Sequence, residues 1–226
     1  MTAAVVPVKA LAASKSRLFP ERPRGDVEAL SLAMMSDVIA CLLAVPGVHR
    51  VAVVTPDAAV AERAEACGAE ALLRPDPGLN PAVEAASAEL AEPGGDVLVV
   101  LGDVAAADPG ELARLLAEAP ARGVALAPSS DGGTSALLRR PADVIPARFG
   151  RDSARRHRDA ATRAGVPLLE LALPSLAIDV DLGEDARAIL ARPTLGPRTR
   201  ALLEAWSRPP QPARSEAKAS EVESGA

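Results

Sequence analysis

Short runs of aliphatic and β-branched residues alternate along this chain with longer stretches that mix Ala, Leu and charged residues. That alternation is the pattern of βαβ units, and it predicts an α/β fold. Ala4 to Val8 is the first predicted strand. From about Asp26 to Ala44, apolar Val27, Leu30, Ala33, Met34 and Val38 recur at spacings of three or four, which is one face of a helix. Pro46-Gly47 stops that helix, and Val48 to Thr55 reads as the second strand. Pro56-Asp57 begins a helix running to Cys67-Gly68, and Ala69 to Leu73 is a third, weaker strand. Another helix opens at Asn80 or Pro81 and ends at Pro93-Gly94-Gly95.

Val97-Leu98-Val99-Val100-Leu101 is apolar without interruption, as a strand buried on both faces of a parallel sheet must be. Asp108-Pro109 then starts a helix, because the carboxylate accepts an end amide and Pro suits the first helical position. Strands near Val124 to Ala127 and Ala136 to Arg139 follow, then a helix from about Asp152 to Ala164. Val166 to Leu173 and Ile178 to Val180 complete the predicted sheet, and Leu182-Gly183-Glu184-Asp185 starts the last helix.

A chain of 226 residues fits one domain at roughly 150 residues per domain, with a tail to spare. The domain is assigned to residues 1–207. From Arg208 to Ala226 the chain has Val222 as its one large aliphatic residue, with three basic residues against three acidic ones. Such a segment buries too little surface to offset its ordering entropy, so residues 208–226 are expected to be disordered. The net charge of −5 offers no general attraction to nucleic acid or to anionic lipid. Phe19, Phe149 and Trp206 are the whole aromatic inventory, which excludes the modules that stack bases on aromatic platforms. Cys41 and Cys67 sit in Ala/Leu-rich stretches and read as reduced core thiols, and with His49 and His157 they do not make an ordinary zinc spacing. The N-terminus lacks the pattern of a secretory leader, and no apolar run is long enough for a membrane span, so a soluble cytoplasmic protein is expected.

In open α/β sheets, ligands sit outside the carboxyl ends of the strands, so the residues just after each strand carry the most chemical information. Lys9, Lys15 and Arg17 follow the first strand, three cations within nine positions. Lys and Arg hold phosphates where no glycine-rich phosphate loop exists, and neither a G-x-x-x-x-G-K-[ST] nor a G-x-G-x-x-G occurs. Asp103 ends the most apolar strand, well placed for a divalent cation; a turn or helix cap explains it equally well. Asp179-Val180-Asp181 puts both carboxylates on one face of a strand. Asp131-Gly132-Gly133-Thr134 is a glycine-hinged turn, and Gly150 precedes a helix whose first amides and Ser153 hydroxyl suit an anion. His157 shares a helix face with Ser153 and reads as structural, with no acid–base partner visible in the sequence.

In this order these segments resemble the guanylyltransferases of deazaflavin-coenzyme biosynthesis, over about Val5 to Leu190. The resemblance rests on Pro7-Val8-Lys9 with Lys15 to Leu18, Val53 to Asp57, Gly78-Leu79-Asn80, Asp131 to Leu138, Phe149-Gly150 with Ser153 and His157, and Asp179 to Asp181 with Glu184-Asp185. It implies a Rossmann-like nucleotidyltransferase fold, akin to the nucleotide-diphospho-sugar transferases, with a mixed, mostly parallel sheet. It implies GTP as donor, Mg2+ as cofactor, and phosphoenolpyruvate or 2-phospholactate as acceptor. By the same resemblance Lys9, Lys15 and Arg17 grip the triphosphate, Lys15 and Arg17 serving in catalysis. Thr134, Gly150 and Ser153 then hold the acceptor, and Asp103, Asp179 and Asp181 hold the metal.

Four departures accompany it. Leu101-Gly102-Asp103-Val104-Ala105-Ala106 keeps only the acid of the family's Leu-Pro-Ala-Asp-Leu-Pro. The glycine turn is one residue shorter, with Ser135 for Asn. Phe149-Gly150-Arg151-Asp152-Ser153 replaces Phe-Gly-Pro-Gly-Ser, and Asp152 is expected to cap the helix and compete for the acceptor's amides. Pro81 and Glu84 stand where the family tends to have Ala and Arg. Two other readings remain at this level: a nucleotide-sugar transferase using the same fold, and a relative that binds nucleotide or a partner without catalysis.

Overall fold

The computed structural model describes residues 1–13, 23–177 and 188–207. Lys15, Arg17, Asp179, Asp181, the expected strand at Ile178 to Val180, the helix start at Leu182 to Asp185 and the tail all lie outside the described residues. Seven strands form one sheet: β1 (Thr2–Pro7), β2 (Val48–Thr55), β3 (Glu70–Leu73), β4 (Asp96–Val100), β5 (Gly123–Pro128), β6 (Thr134–Arg140) and β7 (Leu168–Glu170). Their spatial order is β3-β2-β1-β4-β6-β5-β7. All pairs are parallel except those of β6, which runs antiparallel to both β4 and β5.

The period of two explains why the central strands are apolar at every position. Ala4 and Val6 of β1, with Leu98 and Val100 of β4, join the core on one face of the sheet. Ala3 and Val5, with Val97 and Val99, join the core on the other. Three helices cover the first face: α1 (Arg24–Leu43), α2 (Ala58–Ala66) and α4 (Pro109–Glu118). Two cover the second: α3 (Leu79–Leu90) and α5 (Ser153–Ala164). The predicted cap of α4 is present, with Asp108 Oδ1 accepting from the Glu111 amide at 3.0 Å.

The last described helix, α6 (Pro197–Ser207), has no counterpart in the sequence reading. It packs on the far side of α1, so α1 is enclosed between sheet and helix, and Leu30 and Met34 meet Ile189, Leu195 and Leu203 in a third apolar cluster. Asp37, buried in the middle of α1, locks the contact. Its Oδ2 accepts from the Thr199 amide at 2.8 Å and the Thr199 hydroxyl at 2.7 Å. A carboxylate against the first amides of a helix is favourable there, both as a cap and toward the helix dipole. The contact leaves no room at Gly196, where a Cβ would come within 2.2 Å of the Asp37 carboxyl carbon.

Two expected elements differ from the sheet as it stands. The strand expected over Val166 to Leu173 shrinks to Leu168–Glu170. It is an edge strand paired with β5 alone, and a short 3-10 turn at Pro174–Leu176 follows it. The expected start of β1 at Ala4 moves back to Thr2, because Thr2 and Ala3 pair with both β2 and β4.

Candidate active site

Moving outward from β1, the chain goes to β2 and β3 on one side and to β4 on the other. Chains that diverge in this way leave a crevice beyond the carboxyl ends of the two strands at the switch. A cavity of about 380 Å³ lies there, lined among others by Lys9, Asp103, Asp131, Thr134, Gly150 and Ser153. Lys9 follows β1 and Asp103 follows β4, so the strand-end rule places this cation and this anion on one wall. Thr134 arrives by a different route. Because β6 is antiparallel, its first residue lies beside the last residues of β4; Val100 pairs with Ala136, and the Leu101 amide donates to Ser135 O at 3.0 Å. All five described residues proposed for nucleotide, acceptor and metal contact thus meet in one cavity.

The turn before β6 is built from its own side chains. The Ser129 hydroxyl donates to Asp131 Oδ1, which also accepts from the Gly133 amide at 2.9 Å. These bonds, the hydroxyl first and the amide second, hold the Asp131 carboxyl below its ordinary pKa, so the cavity carries a second anion. A Cβ at Gly133 would fall 2.5 Å from Ser129 Oγ, so the turn closes only around glycine. The Ser130 amide donates to Ala177 O at 2.9 Å, which ties the chain just before residue 178 to this same turn.

Gly150 owes its position to α3. Asn80 Nδ2 donates to Phe149 O at 3.1 Å, and Asn80 Oδ1 accepts from the Phe149 amide at 2.7 Å, so one side-chain amide grips both sides of a residue. Gly150 then turns with φ at +110°, a region reserved for glycine, over the Arg156 guanidinium. Glu84 of α3 accepts from the Ala147 amide and from Arg139 Nη1. Arg139, fully buried on β6, also donates to Ile145 O at 3.1 Å and Ser87 Oγ at 2.7 Å. The departure at Pro81 and Glu84 finds its reasons here. Glu84 is the counter-ion of a buried arginine, and Pro81 sits in the first turn of α3, where a missing N–H costs nothing.

Asp152 does not cap α5. It occupies the N-cap position with φ 53° and ψ 32°, and its side chain makes no capping hydrogen bond. A left-handed backbone points the carboxylate away from the amides it was expected to occupy, so that expectation is corrected. The family's glycine at this place suits the same conformation, and Asp is among the few other residues that tolerate it. Asp152→Gly is therefore expected to stabilise the protein by about 1 kcal/mol, read as a rise in the thermal midpoint of a few degrees.

His157, which the sequence left without partners, has two. Its Nδ1 lies 3.1 Å from Thr134 Oγ1, and its Nε2 accepts from the Arg148 amide at 2.9 Å. Burial first, then the charges of Arg139, Arg156 and Arg148, push its pKa down from 6.5 to about 4. The unfolded chain thus binds the proton more readily than the fold does. This group's contribution is complete above about pH 6.5 and lost as the pH falls from there to about 4. The expected loss is about 3 kcal/mol over that window, measured as the urea midpoint against pH. His157→Asn, which does not titrate, should flatten the curve by that amount.

The sequence reading missed three participants. Ser31 and Met34 of α1 line the cavity, yet on the helix pattern Met34 reads only as core and Ser31 carries no signal. Asp57 joins two jobs: Oδ1 caps α2 through the Ala59 amide at 3.0 Å, and Oδ2 accepts from the Leu11 amide at 2.9 Å, which anchors the loop that carries Lys9. Its place in the Thr55-Pro56-Asp57 segment was the available signal. Among the described residues, no three His, Cys, Asp or Glu side chains gather as a metal site. No described helix is long and apolar enough to cross a membrane.

The fold is that of the Rossmann-like nucleotidyltransferases, with the cavity at the sheet's switch point. A chain described as a nucleotide-diphospho-sugar transferase from Desulfovibrio desulfuricans G20 superposes with a TM-score of 0.74 at 18% identity, covering 90% of this chain and 94% of that one. A nucleotidyl transferase from Methanothermobacter superposes at 0.63 with 19% identity, covering 84% and 95%. Within that class the sequence is more specific. The family described as "Guanylyl transferase CofC like" matches residues 2–205, and this chain belongs to it. A phosphoenolpyruvate guanylyltransferase of Sphaerobacter thermophilus is 38% identical over 86% of this chain and 95% of its own. One from Streptomyces coelicolor is 41% identical over 88% and 93%.

Proposed function

We propose that this protein transfers GMP from GTP to phosphoenolpyruvate, or to its near relative 2-phospholactate, releasing pyrophosphate in deazaflavin-coenzyme (F420) biosynthesis. One observation carries the reading: Lys9, Asp103, Thr134, Gly150 and Ser153 line a single cavity at the sheet's switch point. An acceptor phosphate oxygen attacks the α-phosphorus of GTP in line. The new P–O bond forms there as the bond to the β-phosphate oxygen breaks, and its electron pair leaves with pyrophosphate. The nucleophile is already anionic, so no side chain has to remove a proton.

Lys9 faces the triphosphate from the loop after β1, joined by Lys15 and Arg17, which also neutralise charge as the reaction proceeds. Thr134, Gly150 and Ser153 orient the acceptor. Asp103 is a hard oxygen donor on the cavity wall and fits Mg2+, which takes one or two carboxylates beside the substrate's phosphates. Asp179 and Asp181 complete that set two and four residues beyond Ala177, whose carbonyl is bonded to the cavity's turn. When bound, the ion neutralises phosphate charge.

Purified protein incubated with GTP, Mg2+ and each of phosphoenolpyruvate, 2-phospholactate and 3-phosphoglycerate tests the reading. The expected result is pyrophosphate release with a guanylylated phosphoenolpyruvate or phospholactate seen by mass spectrometry. Tight GTP binding with no product from any acceptor overturns it.

A further inference from the structure

We infer that His157 is a positioning residue that makes the Thr134–Ser153 hydroxyl pair a hydrogen-bond donor toward the acceptor's carboxylate or phosphate oxygens. This rests on the reading that Thr134, Gly150 and Ser153 hold the acceptor. His157 itself does not line the cavity, so it acts through Thr134.

The inference follows from where the protons must lie along one chain of bonds. The Arg148 amide donates to His157 Nε2 at 2.9 Å. A backbone N–H has nothing to accept with, so Nε2 carries its lone pair and the neutral ring keeps its proton on Nδ1. Nδ1–H donates to Thr134 Oγ1, 3.1 Å away. The Ser153 hydroxyl donates to the same oxygen at 3.1 Å. Thr134 has then accepted twice, and its own proton is the one left for the cavity.

The other tautomer would reverse this outcome. With a bare Nδ1, Thr134 would give its proton to the ring, and Ser153 would give its own to Thr134. Only lone pairs would then face the cavity, and lone pairs repel an oxyanion. Which ring nitrogen is protonated therefore decides whether the pair attracts or rejects the acceptor. The surroundings hold one answer. Phe149 packs edge-on against the ring with centroids 5.1 Å apart, and Arg139, Arg148 and Arg156 oppose a second proton.

Steady-state kinetics with GTP and phosphoenolpyruvate on four proteins test it: the parent, His157→Phe, His157→Asn and Thr134→Val. His157→Phe keeps the bulk and removes both nitrogens. It is expected to raise KM for the acceptor about ten- to hundredfold, the cost of a hydrogen bond to a charged group, with KM for GTP within about twofold. His157→Asn restores an N–H near the Nδ1 position and is expected to recover most of the loss. An unchanged acceptor KM in His157→Phe, with Thr134→Val raising it, overturns the inference and leaves the acceptor site standing. An unchanged acceptor KM in Thr134→Val overturns the site itself. If both KM values rise together as the thermal midpoint falls, the histidine is only structural and the inference is wrong. A readout on the parent alone covers variants that fail to fold. The chain has 2 histidines, so nitrogen NMR of labelled ring nitrogens gives a simple spectrum. Nδ1 of His157 is expected protonated and Nε2 bare near neutral pH; the reverse overturns the inference.

Discussion

Asp103→Asn is expected to lower the turnover of GMP transfer about 10³-fold, the scale on which enzymes lose a preorganised electrostatic contact, while the thermal midpoint stays within about 2 °C. The substitution is isosteric, so the wall of the cavity keeps its shape and loses one negative charge. In the proposed reaction that charge faces a site where several phosphate oxygens come together, with a dication to balance them. An amide ligates such an ion far more weakly than a carboxylate. A competing effect exists: removing an anion lowers repulsion toward the incoming phosphates and improves ground-state binding. The two separate in the kinetics, because KM for GTP should change little or fall while kcat collapses. Added Mg2+ in excess should recover part of the loss. Pyrophosphate release at the parent's rate in Asp103→Asn would show that this carboxylate holds neither metal nor phosphate, and the proposed chemistry would lose its described anchor.

What could be read from sequence follows a physical division. β4 was legible because a strand covered on both faces must be apolar at consecutive positions, and Leu98 and Val99 enter opposite cores. Lys9 and Asp103 were legible because a strand's end fixes where the next residue goes. The direction of β6 was not, since the same apolar residues serve a parallel or an antiparallel strand, yet that direction brings Thr134 to the cavity. α6 was unread because Thr199 gains its meaning from Asp37, 162 positions earlier. Asn80 is similar: it pairs with Phe149 across 69 positions, and no local pattern marks such a bond. Asp152 was misread for a different reason. Its residue type favours capping, but the backbone angle decided where its carboxylate points.

Arg139→Met is expected to destabilise the protein by about 4 kcal/mol, or roughly 10 °C in thermal midpoint for a chain of this size, and to weaken acceptor binding. Two terms oppose each other. Methionine relieves the burial of a guanidinium whose Nε has no hydrogen-bond partner among the described residues, a gain of about 1–3 kcal/mol. Against this, Glu84 and Ser87 Oγ of α3 and Ile145 O of the segment after β6 all lose their donor at once. Glu84 is half-exposed and recovers some solvent, so its share is the smaller one. The backbone carbonyl and the hydroxyl lie in the buried contact and recover little. The losses win. Their consequence reaches the active site because Glu84 also accepts from the Ala147 amide, and Ala147 leads through Phe149 to Gly150. Loosening that segment should raise KM for phosphoenolpyruvate more than KM for GTP. Lysine should not rescue, since one ammonium cannot reach three partners in a guanidinium's plane. A midpoint equal to or above the parent's in Arg139→Met, with acceptor KM unchanged, would mean that α3 and Asn80 hold the acceptor loop unaided.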